Sequence, residues 1–481
     1  MLSTLIIMPL FGILTNFFIV KKKYQKNLKT FSLLWSLIIF NISILLLYFL
    51  NLSSYQFQLI GEISWFFSSN TNILIGLDGL SYFMILLTTF LIPICLLLSW
   101  NIEPHTKTLE YINFFFLLES ILIGIFCSLD LFLFYILFEA VLIPMYFIVG
   151  IFGSRERKIR ASYFLFLYTL VSSILMFVAI LFLYFKTGTT SYLLLKTFKS
   201  FDYLTENICW IAFFFSFAVK MPLVPFHIWL PEAHAEAPTA GSVILAGILL
   251  KLGGYGFIRF SLGLFPDSSA FFSPFIHVLS VFGVIYASLT TFQQVDLKKI
   301  IAYSSVGHMG LVTAAIFSFN YEAIFGSVFL MLSHGIVSSG LFLMVGFLYE
   351  KHHTRVLKYY SGLIHVMPLF SFFFIVFTLG NIGLPGTSSF IGEILIIIGC
   401  FKMNSWTALL VSTGMVLGAG YSLWLCNRLL FGNIKKYSIK EFKDISRREF
   451  FILLPFLFLV FFLGLYPDII TNLLKTSILN L

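Results

Sequence analysis

The chain has 481 residues, 59% of them hydrophobic and only 11% charged, with a mean hydropathy of +0.99; an ordinary soluble domain has roughly 45–50% apolar and about 25% charged residues. A soluble protein of this composition could not cover its own surface, and 19% aromatic content supplies far more apolar area than a disordered chain carries. The composition is that of a polytopic membrane protein, and the net charge of +9 needs no nucleic-acid partner once basic loops sit beside anionic headgroups.

The N-terminus runs directly into apolar sequence, with no basic n-region and no small-residue cleavage site, so no removed presequence is expected. Charge clusters and Pro/Gly breaks then divide the chain into about fourteen apolar segments, near 2–20, 30–50, 76–100, 111–129, 131–152, 161–185, 207–226, 239–262, 272–292, 299–318, 321–349, 366–398, 405–431 and 449–467. Each approaches the about 20 residues that cross a hydrocarbon core of roughly 30 Å. The expected fold class is therefore an all-α polytopic membrane protein. Loops that follow odd-numbered segments carry 22 Lys and Arg, including Lys21, Lys22, Lys23, Lys26, Lys107, Lys298, Arg355, Lys436 and Lys440. The opposite loops carry 6, namely Lys186, Lys196, Lys199, Arg259, Lys402 and Lys475. By the positive-inside rule this bias puts both termini on the outer side and the basic loops in the cytoplasm or matrix.

A few ionisable residues remain within the apolar segments: Glu119, Glu139, Lys220, Lys251 and Glu393, with His308 and His334. A charge at the bilayer centre costs on the order of 3 kcal/mol or more, so its presence points to pairing and to an ion or proton path. By rise per residue, Glu139 lies about 12 Å into its segment and Lys220 and Lys251 about 18 Å into theirs, too deep for the lysines to snorkel comfortably. For each charge alone the plain alternative is an interhelical salt bridge that only fixes packing, and for each histidine a neutral buried imidazole. Several acids, two lysines and two histidines at similar depth favour a file. A Lys–Glu contact that forms and breaks can load and release a proton. Glu119 is secondary, because a basic residue on a neighbouring helix would suffice to pair it.

Two segments are broken near mid-depth, the seventh at Lys220-Met221-Pro222-Leu223-Val224-Pro225 and the twelfth at Gly380-Asn381-Ile382-Gly383-Leu384-Pro385-Gly386. Proline removes a backbone donor, which membrane depth tolerates where water, polar side chains or protein satisfy the freed carbonyl. Breaks five helices apart are what two inverted five-helix repeats, helices 4–8 and 9–13, would give. The expected division is three N-terminal helices over 1–110, a first repeat over 111–262, a second over 263–431, and a basic loop with a last helix over 432–481. The five cysteines form no CxxC pair, no GxGxxG follows a strand, and no paired-His haem spacing occurs, so no redox-cofactor or metal signature is present. The 61 phenylalanines, with abundant Leu, Ile, Asn and Lys, point to an A+T-rich genome such as an organelle's.

The run VKMPLVPFHIWLPEAHAEAPTAGSVILAGILLKLGGYG (219–256), with DLKKIIAYSSVGHMG (296–310), LMLSHGIVSSGLFL (330–343) and LPGTSSFIGE (384–393), closely resembles the antiporter-like, proton-translocating membrane subunits of respiratory complex I, NADH:ubiquinone oxidoreductase. The likeness extends from IGLDGLS (75–81) to SLWLCNR (422–428), and its wording is nearest the mitochondrial type. It implies a proton relay in which Glu139 and Lys220 form the switching pair and Lys251 continues the path. His308 and His334 would be its middle-channel histidines and Glu393 the glutamate of the second half-channel. The stretch His227 to His234 is the family's signature, read here as a helix-breaking connection packed against neighbouring subunits in preference to a proton role for His227 or His234. The resemblance also implies that the chain holds no cofactor, with NAD, FMN, iron–sulfur clusters and ubiquinone bound by other subunits. Its implied partners are the other membrane subunits of complex I, above all the neighbouring antiporter-like ones, and lipids such as cardiolipin. The implied site is the mitochondrial inner membrane, with both termini on the intermembrane-space side. Two alternatives share the same buried residues: an Mrp-type sodium/proton antiporter subunit, and a structural scaffold whose charges serve assembly alone.

Overall fold

The computed structural model describes residues 2–21, 25–51, 54, 56–64, 72–101, 106–197, 201–435 and 442–478. Of the basic residues counted above, Lys22, Lys23, Lys199, Lys436 and Lys440 lie outside them. In chain order come α1 (Leu2–Lys21), α2 (Gln25–Leu45), the strands β1 (Gln58–Ser64) and β2 (Asn72–Leu77), then α3 (Gly79–Leu98), α4 (Thr106–Cys127), α5 (Leu131–Ala140), α6 (Leu142–Phe152) and α7 (Lys158–Thr187). They are followed by α8 (Tyr192–Thr197), α9 (Tyr203–Lys220), α10 (Trp229–Glu236), α11 (Thr239–Ile244), α12 (Leu250–Gly256), α13 (Pro266–Gln293), α14 (Leu297–Ile316) and α15 (Tyr321–His352). The chain continues through α16 (Pro368–Ile382), α17 (Ser388–Met403), α18 (Ser405–Leu430), α19 (Arg447–Leu465) and α20 (Asp468–Ile478).

By length and composition, 10 helical stretches among the described residues can cross a membrane, and Leu2–Phe18 and Pro368–Ile382 are shorter apolar helices. α9 with α10, and α14, occupy the other positions at which segments are expected. The outward faces of the bundle's helices carry large apolar side chains in the open, such as Phe185 on α7, Leu204 on α9 and Val416 on α18, the pattern of a surface solvated by lipid or by other subunits. Acidic and small polar residues start the helices. Asp78 and Ser81 form a reciprocal cap at α3, Ser446 and Glu449 do the same at α19, and Asp130 caps α5 by accepting from the Leu133 amide at 2.9 Å.

Both proline-rich breaks interrupt helices. α9 stops at Lys220 and helix resumes at Trp229; α16 stops at Ile382 and α17 begins at Ser388. A third interruption, at Val141 between α5 and α6, follows from Pro144, which has no N–H to give the carbonyl of Ala140. Between Thr239 and Leu262 the helix is continuous but loosened, with π turns at Leu245–Leu249 and Phe257–Leu262 on either side of Lys251. This helix from Ala240 on and α15 from Ala323 to Leu348 are buried and form the centre of the bundle. Around them, α15 packs on α14, α16, α17 and α19, while α13 lies along α14 and α7 along α9.

The chain is a helical bundle as expected, to which β1 and β2 add one antiparallel pair, Ser64 opposite Asn72, ahead of α3. Two details need correction. The stretch 227–234 follows a helix break as expected, but it packs within the chain and not outward: Trp229–Glu236 is a helix whose His234 is wholly buried in the chain's own core. The sequence beyond α19 carries the amphipathic helix α20, whose Ile470, Leu473, Leu474 and Ile478 are buried and whose Ser477 hydroxyl accepts from the Gly79 amide at 2.9 Å.

Candidate functional site

Lys251 is completely buried between the two π turns. Its ammonium donates to the Ala246 carbonyl at 2.5 Å, five residues back, and lies 2.9 Å from His334 Nδ1 on α15. Glycine makes that approach possible: a Cβ on Gly335 would lie 3.0 Å from the Gly247 carbonyl oxygen and 2.8 Å from Leu87. The His334 ring is 5.5 Å, centroid to centroid, from that of His308 on α14. His308 Nδ1 in turn lies 3.5 Å from Glu393 Oε1 on α17. Lys251, His334, His308 and Glu393 thus form a contiguous buried series.

Glu393 owes its position to the second break. Gly383 adopts φ +78°, and a Cβ there would collide with the Glu393 carboxyl group, so the left-handed turn and the carboxyl occupy one space. A cavity of about 10 Å³ adjoins Glu393 and His308, with Asn381, Tyr421 and Ser288 on its wall; this is the volume needed for about one water centre. Glu393 Oε2, His308 Nε2 and His334 Nε2 have no protein hydrogen-bond partner, so each keeps capacity for a water or a transferred proton.

Glu139 and Lys220 make a second group. Lys220, buried at the end of α9, points its ammonium at the face of Phe138, 4.4 Å from the ring centroid, and 3.5 Å from the Phe138 carbonyl oxygen. It forms no ion pair with Glu139, its electrostatic neighbour. Glu139 is half-buried, faces Ser173 of α7, and keeps Oε1 unpartnered. The chain thus holds the pair near but unclosed, with the aromatic ring of the residue beside Glu139 taking the cation.

The remaining candidates stand apart. Glu119 is wholly buried on α4 with neither oxygen hydrogen-bonded, so the simple pairing with a basic residue that would account for it is not made. His227 sits against the rings of Tyr286 and Tyr303. His234 stacks on Phe342 at 4.5 Å with both ring nitrogens unpartnered. Three residues assigned to loops are buried instead. Arg259 pairs with Asp78 at 2.6 Å, Arg355 pairs with Glu236 at 2.9 Å and Asp296 at 2.8 Å, and Lys298 donates to the Ala237 carbonyl at 2.7 Å. The signal for Arg259 was its place inside an apolar segment; for Arg355 and Lys298 the sequence offers none, since the Glu236 and Asp296 carboxylates that hold Arg355 and the Ala237 carbonyl that holds Lys298 are brought to them only by the fold. Among the described residues no three His, Cys, Asp or Glu converge as a metal set.

Fold and site together define a membrane-embedded helical bundle built round buried ionisable side chains, and the chain belongs to the NADH:quinone oxidoreductase/Mrp antiporter transmembrane family, whose profile matches residues 128–418. Within that family it is 53% identical to NADH-ubiquinone oxidoreductase chain 4 of Marchantia polymorpha, an alignment that covers 100% of this chain and 96% of that one. Among solved structures, it resembles a chain of respiratory complex I from Thermus thermophilus at a TM-score of 0.88 and 26% identity, covering 100% of this chain and 99% of that one. It shares the fold of a chain of the Mrp complex from Dietzia at a TM-score of 0.87 and 18% identity, covering 100% and 97%.

Proposed function

We propose that the chain is a core membrane subunit of a proton-pumping NADH:ubiquinone oxidoreductase and moves protons across its membrane through Glu139, Lys220, Lys251, His334, His308 and Glu393. The observation that carries the reading is the unbroken series from Lys251 to Glu393, with Lys251 2.9 Å from His334 and His308 3.5 Å from Glu393. Buried charges of this kind cost more than an apolar core of the same volume, so packing alone gives little reason to keep them. The Glu139–Lys220 couple supplies the switch. When Lys220 leaves the Phe138 ring and closes on Glu139, the cation changes its place and its partner, and the field at Lys251 changes with it.

In this reading NADH, FMN, iron–sulfur clusters and ubiquinone are handled by other subunits, and this chain contributes proton movement alone. Its partners are the neighbouring antiporter-like subunits, with lipids such as cardiolipin filling the joints, and its place is the mitochondrial inner membrane with both termini in the intermembrane space. The division at 110, 262 and 431 into an N-terminal part, two inverted repeats and a last helix belongs to the same proposal, supported by the helix breaks at Met221–Ile228 and Gly383–Thr387. An Mrp-type sodium/proton antiporter shares the fold, but the full-length identity to NADH-ubiquinone oxidoreductase chain 4 favours the respiratory reading.

The test is Glu139→Gln in the assembled enzyme, with assembly checked on native gels and NADH-driven proton uptake followed in membrane vesicles. Assembly with lost pumping is the expected result. Normal pumping would contradict the switch.

A further inference from the structure

On the basic side of the bundle, where α3, α4, α11, α14 and α15 meet, lies a cavity of about 220 Å³ that contains none of the residues discussed so far as the proton file. Its polar wall is made by Ser99, Tyr111, Ser154, Thr239, Lys298 and Glu350. That volume holds several waters, and polar groups line it from five directions. Glu350 is exposed at the rim, within 3.4 Å of the Thr239 hydroxyl. At the inner end Lys298, only 2% exposed, holds its ammonium on the Ala237 carbonyl. Three residues back from Ala237 along α10 is His234, wholly buried, with both ring nitrogens free of protein partners and within electrostatic reach of both Lys298 and Lys251.

We propose that this cavity is the proton-uptake vestibule of the chain, in which Glu350 collects protons from the basic-side solution and water in the cavity passes them inward past Lys298 and His234 toward Lys251. The proposal rests on the reading of Lys251 as part of a proton path. Each step is a bare proton transfer: the Glu350 carboxylate takes a proton from hydronium or water of the basic-side solution, which is left there as water or hydroxide, and the carboxylic acid then gives that proton to a cavity water, which passes it inward and leaves the carboxylate as before. An exposed carboxylate at the mouth of a wet cavity raises the local supply of protons where the bulk supply is scarce. The groups that face Glu350 are Thr239 from α11, Lys298 from α14, Tyr111 from α4, Arg448 and Glu449 from α19, and Lys351 on its own helix. Because cations and one further acid share the rim, a shift in activity belongs to Glu350 only if the substitution at that residue moves it.

The experiment compares Glu350→Gln, Glu350→Asp and Lys251→Met in the assembled enzyme, reading NADH-driven proton uptake in vesicles across the working pH range. Glu350→Gln is expected to pump normally at the acidic end and to lose pumping progressively toward the alkaline end, with Glu350→Asp restoring the original profile. Lys251→Met is expected to abolish pumping at every pH. If Lys251→Met abolishes pumping while Glu350→Gln leaves the profile unchanged, or lowers it equally at every pH without rescue by Asp, the vestibule is refuted and the proton file stands. Normal pumping by Lys251→Met would overturn the file itself and the vestibule with it.

Discussion

Lys220 rests on the ring of Phe138 and not on the carboxylate of Glu139. A cation–π contact contributes about 0.5–2 kcal/mol, small enough to exchange for an ion pair when the surroundings change. Phe138→Leu should therefore leave the complex assembled but let Lys220 settle toward Glu139, lowering protons moved per NADH oxidised. A proton-to-electron ratio equal to that of the unsubstituted enzyme would show that the ring has no such part. The residues of the file were legible in the sequence because each interrupts an otherwise apolar segment, and the breaks were legible because proline and glycine announce them. Their partners were not legible. Glu119 has no cation beside it, whereas Arg259 and Arg355, counted among the loop charges, are buried against Asp78, Glu236 and Asp296. Pairing across 119 to 181 positions of chain, as between Arg355 and Glu236 or Arg259 and Asp78, is set by tertiary packing that no local pattern encodes.

At the scale of the helix, the loosened Thr239–Leu262 segment is the element on which the site depends. Its π turns set Lys251 against its own Ala246 carbonyl, and Gly247 lets it touch α15 at Gly335. Gly247→Leu would drive a side chain into Leu91 and Ser339 at a cost of about 1–3 kcal/mol for overpacking. The expected outcome is an assembled but less heat-stable complex whose pumping falls more than its stability does, because Lys251 moves off His334. Pumping and stability that fall together would assign Gly247 to packing alone. Long helices were readable from hydropathy, since about 20 apolar residues have few other uses. The strand pair β1–β2 and the amphipathic α20 were not. They are short and lie largely outside the apolar segments; β1 and β2 pair with each other, the Leu74 carbonyl accepts from the Leu129 amide beyond α4, and α20 docks on the start of α3.

Across the whole molecule, Arg259 and Asp78 tie the bundle together at the start of α3, and Arg355 with Glu236 and Asp296 does so at the start of α14, so that buried ion pairs hold the helix array at two places. Removing one partner of such a pair strands a charge and costs about 3–5 kcal/mol. Arg355→Met should accordingly reduce the amount of assembled complex on native gels and lower its inactivation temperature. Unchanged assembly and heat resistance would show that the cluster does not hold the helix array. The central claim is that the charges inside this bundle form one coupled proton path. NADH-driven proton uptake into vesicles by Lys220→Met, measured beside quinone reduction after assembly has been confirmed, tests it most directly. A coupled path requires an assembled complex in which pumping and quinone reduction fall together; an assembled complex in which both persist unchanged would rule such a path out.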